Sequence, residues 1–259
     1  MTSVDPIERS AMSAGRFHSS AATHSGAVRD HNEDRFVNRP DLGLWAVADG
    51  AGGHQAGDVA STIVADALRA VPAGLGSAEL LAEVRLRLDR AHKRLQEEAM
   101  RRGGTDILAS TVVVLVARGE HYACLWAGDS RAYLWRAGML TQVSHDHSFV
   151  QELVDAGAIT PIEALNHPRA NVITRALGAQ SEVVSLDKTT DRLRSGDRFL
   201  LCSDGVSKTL AEEEIARVMA DADPASATQM VTAALEGQSD DNITAVVIDV
   251  LSAQSIDGQ

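Results

Sequence analysis

The sequence predicts an α+β domain, with helices and strands segregated along the chain rather than strictly alternating. Three observations carry that reading. Apolar residues recur at helical spacing in two successive stretches, 59–71 and 81–95. Runs rich in β-branched or aromatic residues then follow at 111–116, 122–126 and 132–135, with only short Gly-containing turns between them. Two further strand-like runs near the C-terminus enclose a pair of helices instead of alternating with them.

Taken in order, residues 1–20 are polar and aperiodic and read as a flexible N-terminal tail. The fold is expected over 21–252 as a single domain, with 253–259 as a C-terminal tail. Residues 41–48 form a short apolar run ahead of an acidic-glycine cluster, as a strand would. Val59, Ile63, Val64, Ala67, Leu68 and Val71 give the stripe of a first helix, ended by Pro72 and Gly74. Ser77 reads as the N-cap of a longer helix with Leu81, Val84, Leu88, Ala91 and Leu95 on one face, stopped by Gly103-Gly104. The three runs from 111 to 135 read as an antiparallel meander. Residues 145–180 are irregular, with a short helix at 149–156 and a Thr160-Pro161 restart, and read as a surface flap. Strands are expected at 198–202 and 243–251, with helices at 212–220 and 224–236 between them.

With 259 residues, 44% hydrophobic and 23% charged, the chain has the composition of a globular domain, not of a disordered one. Aromatics are 3%, so an aliphatic core is expected. No apolar run approaches the ~20 residues that span a bilayer, and the N-terminus has no signal-like apolar stretch. A cytoplasmic protein is the expectation. Cys124 and Cys202 each lie inside an apolar run and read as buried, reduced thiols. The net charge of −12 disfavours nucleic acid and anionic membrane as partners but suits divalent cations wherever carboxylates converge.

Convergence is what the placement of acids predicts. Asn32-Glu33-Asp34, Asp49-Gly50, Gly128-Asp129-Ser130-Arg131, Ser203-Asp204-Gly205 and Asp240-Asp241-Asn242 all sit at ends of predicted strands. Any one of them reads equally well as a turn. Five are harder to explain that way, because carboxylates gathered at one sheet end repel unless cations neutralise them. Hard, all-oxygen ligands suit Mg²⁺ or Mn²⁺. Two such ions a few Å apart are a known device for attacking phosphorus with activated water.

In wording and order these clusters resemble the metal-dependent protein serine/threonine phosphatases, the type 2C family, and within it the compact bacterial branch. The matching stretches are Arg29-Asp30-His31-Asn32-Glu33-Asp34, Asp49-Gly50-Ala51-Gly52-Gly53-His54, Gly128-Asp129-Ser130-Arg131, Asp146-His147-Ser148, the run 171–178, Cys202-Ser203-Asp204-Gly205 and Asp241-Asn242-Ile243-Thr244. The resemblance implies a central sandwich of two antiparallel sheets flanked by helix pairs, with 21–252 as one phosphatase catalytic domain. It implies Mn²⁺ or Mg²⁺ at two tight sites and a weaker third. Asp49 would bridge the two tight ions, with Glu33 and the Gly50 carbonyl completing one and Asp204 and Asp241 holding the other. Asp34 would stand behind them, orienting waters. Asp129 would bind the third ion together with Asp204. Arg29 would clamp the phosphate, since its planar fork fits phosphate oxygens. Catalysis, centred on Arg29 and Asp49, would be in-line attack by a bridging hydroxide on phosphoserine or phosphothreonine. The implied partners are phosphorylated proteins, either substrates of a Ser/Thr kinase or such a kinase itself, with the enzyme acting as a monomer.

Other residues read as structural. His145-Asp146-His147 looks like a His-x-His ligand pair, but no further His/Asp cluster follows it. Asp58 reads as a helix N-cap. Glu152, Asp155 and 212–214 read as solvated helix faces. In larger members of the family a histidine directly after Asp-Gly is the proposed proton donor; here that position is Ala51, and His54 three residues later reads as structural. A cysteine-phosphatase loop is excluded because Cys202 is followed six positions later by Lys208 and Cys124 by Ser130, not by arginine. A P-loop fails because Gly50-Ala51-Gly52-Gly53 runs into His54-Gln55. Two alternatives remain: a catalytically weak phosphoprotein-binding module with the same fold, and a hydrolase of another phosphoester.

Overall fold

Strands buried on both faces account for the unbroken apolar runs of the sequence. The computed structural model describes residues 7–52, 56–103 and 108–252. The chain opens with β1 (Glu8–Ala14) and β2 (Phe17–His24), then β3 (Asp34–Arg39) and β4 (Leu44–Ala51). Helices α1 (Ala56–Arg69) and α2 (Ser77–Arg101) follow. Next come β5 (Ala109–Ser110), β6 (Val112–Arg118), β7 (His121–Ala127), β8 (Arg131–Arg136) and β9 (Met139–Gln142). Short helices α3 (Phe149–Asp155) and α4 (Pro161–Leu165) lead to β10 (Asp187–Arg192) and β11 (Arg198–Cys202). Helices α5 (Asp204–Ser207), α6 (Glu212–Ala220) and α7 (Ser226–Glu236) precede β12 (Ile243–Val250).

Two antiparallel sheets result, one ordered β1-β2-β12-β11-β8-β9 and the other β10-β7-β6-β4-β3, with β5 paired to β4. Side chains alternate between layers as the period-2 pleat requires. On β4, Trp45 and Val47 enter the layer between the sheets, while Leu44, Ala46 and Ala48 pack under α1 and α2. On β6, Val113 and Leu115 face inward and Val112, Val114 and Val116 face the helices. On β11, Phe199 and Leu201 face inward, and Leu200 and Cys202 meet α6 and α7. The order of layers is helix pair, sheet, sheet, helix pair. The expected α+β sandwich is the observed one. The two helix-facing layers are mainly aliphatic, but Phe17, Trp45, Tyr122, Trp126 and Phe199 concentrate between the sheets.

Several expectations need correction. Residues 8–20 are not a loose tail: β1 pairs with β2, and β2 pairs along its whole length with β12. The run Phe17–His24 is rich in Ser and Ala, and its small side chains hide in the pleat without showing β-propensity. The meander from 111 to 135 is broken. β6 and β7 pair with each other, but β8 crosses to the other sheet and pairs with β11. The crossing is made at Gly128, whose φ of +114° and close approach to the Thr111 side chain exclude a Cβ. Asp58 lies inside the first turn of α1, not at its cap, and pairs with Arg35. The cap of α2 is Gly76, one residue before Ser77; its N–H donates to the Glu79 carboxylate at 2.7 Å. At Thr160 the expected restart is borne out, with Glu163 N–H donating to the Thr160 hydroxyl at 3.2 Å. The C-terminal tail at 253–259 and His54 lie outside the described residues. Among the described residues no helix is long and apolar enough to cross a membrane.

Both cysteines are free and fully buried, in different layers. Burial pushes each thiol up to about 12. A thiol reagent at neutral pH should therefore leave the folded protein unlabelled and modify both cysteines only in denaturant. Rapid native-state labelling counted by mass would contradict this packing.

Candidate metal centre

Antiparallel pairing alone brings the acidic clusters together. Asp34 opens β3 and sits opposite Asp49 near the end of β4. Asp204 follows the end of β11, and Asp241 precedes the start of β12, its antiparallel neighbour. Asp129 lies in the β7–β8 crossing. All five aspartates thus occupy one end of the sandwich.

Hydrogen bonds between the sheets fix that end. Ser203 Oγ donates to Asp34 Oδ2 at 2.7 Å, joining β11 to β3. The Glu33 N–H donates to Asn242 Oδ1 at 2.7 Å, while Asn242 Nδ2 donates to the Ser25 and His31 carbonyls. Thr111 Oγ1 accepts from the Asp49 N–H at 3.1 Å and bonds Ser130 Oγ at 2.7 Å. Close glycine contact seats the acids against α1. A Cβ on Gly57 would lie 2.5 Å from the Gly50 carbonyl oxygen and 2.6 Å from Glu33 Oε2. The Gly50 carbonyl and the Glu33 carboxylate therefore crowd one point at the start of α1.

The electrostatics are those of uncompensated negative charge. Burial, then Asp34, Asp204, Asp129 and Asp241 in turn, push the Asp49 carboxyl well above its ordinary range. Asp34 is raised to about 7 by burial, against its Ser203 bond and with Asp204 and Asp241 adding to the rise. Asp129 is raised to about 6 by burial and Asp204, against Lys208. Glu33 is raised by burial, against Arg29. Three buried carboxylate oxygens, Asp34 Oδ1, Asp129 Oδ1 and Asp204 Oδ1, have no hydrogen-bond partner. Each such orphan costs about 1–3 kcal/mol, more when charged. Hard cations would remove that cost, so the donor set fits Mn²⁺ or Mg²⁺.

Two side-chain cations answer part of the charge. Lys208 Nζ lies 2.6 Å from Asp204 Oδ2 and 3.3 Å from Asp129 Oδ2. Arg29 Nη2 lies 2.8 Å from Asp241 Oδ2, at the half-exposed rim. Among the described residues, no group of three or more His, Cys, Asp and Glu side chains as positioned meets the geometry of a metal site. An ion pair as exposed as Arg29–Asp241 contributes about 0–1 kcal/mol, too little to hold either partner against a ligand.

Glu33, Asp34, Asp49, Gly50, Asp129, Asp204, Asp241 and Arg29 thus all gather at this end. The histidine pair is elsewhere engaged: His145 with Asp155, His147 with Asp187 and the Gly128 N–H. Asp146 is bound by Arg131 at 2.7 Å. Sequence reasoning assigned no role to Ser203, Asn242, Thr111 or Lys208. For Lys208 the available signal was its spacing: it stands four residues after Asp204, one helical turn on.

Fold and site together define a class, a four-layer sandwich with a buried carboxylate cluster suited to divalent metal at one sheet end. The chain belongs to the protein phosphatase 2C family, whose model matches residues 22–244. It is 37% identical over 232 residues to the serine/threonine protein phosphatase PstP of Mycobacterium tuberculosis, covering 89% of this chain and 44% of that protein. The chain therefore spans less than half the length of that relative. It is 32% identical over 241 residues to the serine/threonine phosphatase stp of Listeria monocytogenes, covering 90% of this chain and 95% of that one. Among solved structures it resembles PppA of Pseudomonas aeruginosa, with TM-score 0.84, 42% identity and 91% and 98% of the two chains covered. It also resembles the PstP catalytic domain in complex with two manganese ions, with TM-score 0.79, 36% identity and 91% and 99% covered.

The raised carboxyls make a prediction for metal-free protein. A carboxyl with a higher pKa folded than unfolded binds more protons in the folded state, so stability falls as pH rises through that interval. For Asp34 the interval runs from 3.8 to about 7, and for Asp129 from 3.8 to about 6. The melting temperature of chelated protein should drop between about pH 4 and about pH 7, and Asp34→Asn should flatten the drop. A pH-independent melting temperature over that span would refute the buried-charge account.

Proposed function

We propose that this chain is a protein-serine/threonine phosphatase that hydrolyses phosphoserine and phosphothreonine with the help of Mn²⁺ or Mg²⁺. The observation that carries the reading is the cluster of Asp34, Asp49, Asp129, Asp204 and Asp241 with three of its buried oxygens unpartnered. The names of the related proteins support the substrate class. In this reading Glu33, Asp49, the Gly50 carbonyl, Asp204 and Asp241 would hold two ions tightly, Asp49 contributing to both. Asp129 and Asp204 would hold a weaker third. When bound, the ions supply Lewis acidity and acidified water for in-line attack on phosphorus.

The chain's own residues hold and orient. Arg29 is half-exposed at the rim, where its guanidinium can present a planar fork to phosphate oxygens. Asp34, buried behind the cluster and fixed by Ser203, is placed to orient water. Ala51 offers no proton to a departing alkoxide, so that proton comes from another source. Residues 145–180 carry α3 and α4 beside the site, with Ile162 and Leu165 exposed and Asn171 reaching Lys208 at 3.0 Å. This segment is the surface we assign to contact with the phosphoprotein. The partners are phosphorylated proteins, among them substrates of a Ser/Thr kinase, and the phosphatase works on them as a monomer.

Hydrolysis of p-nitrophenyl phosphate should require added Mn²⁺ or Mg²⁺ and vanish with EDTA. Asp204→Asn, which keeps the shape but removes a charge, should lower the rate by at least about 100-fold while the fold is retained. Full turnover in EDTA would end the metal-dependent reading.

Arg29→Ala should mainly raise KM, with a smaller effect on kcat and little change in metal affinity. Loss of metal binding in that variant would reassign Arg29 from phosphate clamp to structural support of Asp241.

A further inference from the structure

We propose that Lys208 is a resident cation of the acidic centre that competes with the third, weaker metal ion for the Asp129–Asp204 pair. The inference rests on the metal-dependent reading above. Its ammonium is held by three acceptors from three parts of the chain. These are Asp204 Oδ2 at 2.6 Å, Asn171 Oδ1 at 3.0 Å and Asp129 Oδ2 at 3.3 Å. The first two are hydrogen bonds and the third is an ion pair, so three acceptors surround an ammonium that has three N–H donors. The backbone reinforces the placement: the Lys208 N–H donates to the Asp204 carbonyl at 2.8 Å, stacking the side chain one turn above its partner.

The neutralisation is partial. Two carboxylates share one ammonium, which leaves a net negative charge. Asp129 is only 3% exposed, and the second oxygen of each acid, Asp129 Oδ1 and Asp204 Oδ1, stays buried and unpartnered. The pair can therefore still attract a divalent ion. That ion must either displace the ammonium or sit within a few Å of it, and both cost affinity. Lys208 makes its ion pairs with Asp204 and Asp129, not with Asp49 or Asp241, so the two tight sites escape this competition except for the oxygen that Asp204 shares. Lys208 thus sets how much metal the third site needs, and it keeps the metal-free cluster from carrying its full negative charge.

The test is calorimetric titration of the metal-stripped full chain with MnCl₂, on wild type, Lys208→Met and Lys208→Arg. Wild type should bind two ions tightly and one weakly. Lys208→Met should bind the weak ion at least about tenfold more tightly, the scale of removing an adjacent like charge, with the tight ions little changed. Lys208→Arg should stay near wild type. Adding Asp129→Asn to Lys208→Met should abolish the gain. The Mn²⁺-induced rise in melting temperature should grow in parallel. Should Lys208→Met not fold, Lys208→Gln carries the same comparison. Equal weak-site affinity in wild type and the neutral variants, or a KM increase without any change in metal binding, overturns the inference and makes Lys208 a substrate contact or a structural tie. A wild-type chain that binds no tight ions overturns the metal reading itself, and the inference with it.

Discussion

The repulsion among Asp34, Asp49, Asp129, Asp204 and Asp241 is the constraint around which this end of the molecule is built. Left alone, buried carboxylates at this density would protonate or drive the strand ends apart. The structure opposes that with fixed dipoles and two side-chain cations. Ser203 donates to Asp34, and Thr111 orders the Asp49 backbone. Lys208 binds Asp129 and Asp204, and Arg29 binds Asp241. None of these supplies the double charge of a divalent ion, and the orphaned oxygens mark where compensation is still missing.

Such a cluster needs a rigid support, and the sandwich provides it. Each central strand is buried on both faces, so its position is set by packing from two layers at once. Antiparallel pairing places the start of one strand beside the end of its neighbour, which is why acids distant in sequence become neighbours. The cross-sheet bonds through Ser203 and Asn242 then hold the two sheet ends together at side-chain precision. At Gly50 against the Gly57 backbone, and at Gly128 against the Thr111 side chain, only glycine fits.

Much of this was legible in the chain. Helix stripes and β-branched runs identified α1, α2, β6, β7, β8, β11 and β12, because their patterns come from burial and burial dominates their composition. What was illegible had a physical cause in each case. β2 packs with Ser and Ala, whose small size serves a tight layer but carries no strand signature. β1 is largely exposed and held mainly by its pairing with β2, with one side-chain bond from Asn38 to Ser10. The step of β8 to the second sheet depends on one positive-φ glycine, which looks like any turn glycine in sequence. Lys208 had no role assigned to it until the fold placed its ammonium among buried acids.

By itself the sequence determined the α+β class, the unbroken apolar runs that build a double-faced core, and the identity of the acids, since residue type and apolar patterning are local properties. The motif order carried the family. Only the tertiary structure decided which acids meet, which of their oxygens remain unpartnered, and which cations stand beside them. Those outcomes depend on strand register and on contacts across the two sheets. Arg29 to Asp241 and Ser203 to Asp34, for example, join residues 212 and 169 positions apart. No local pattern encodes a distance of that kind; it is set when the sheets close on a shared core.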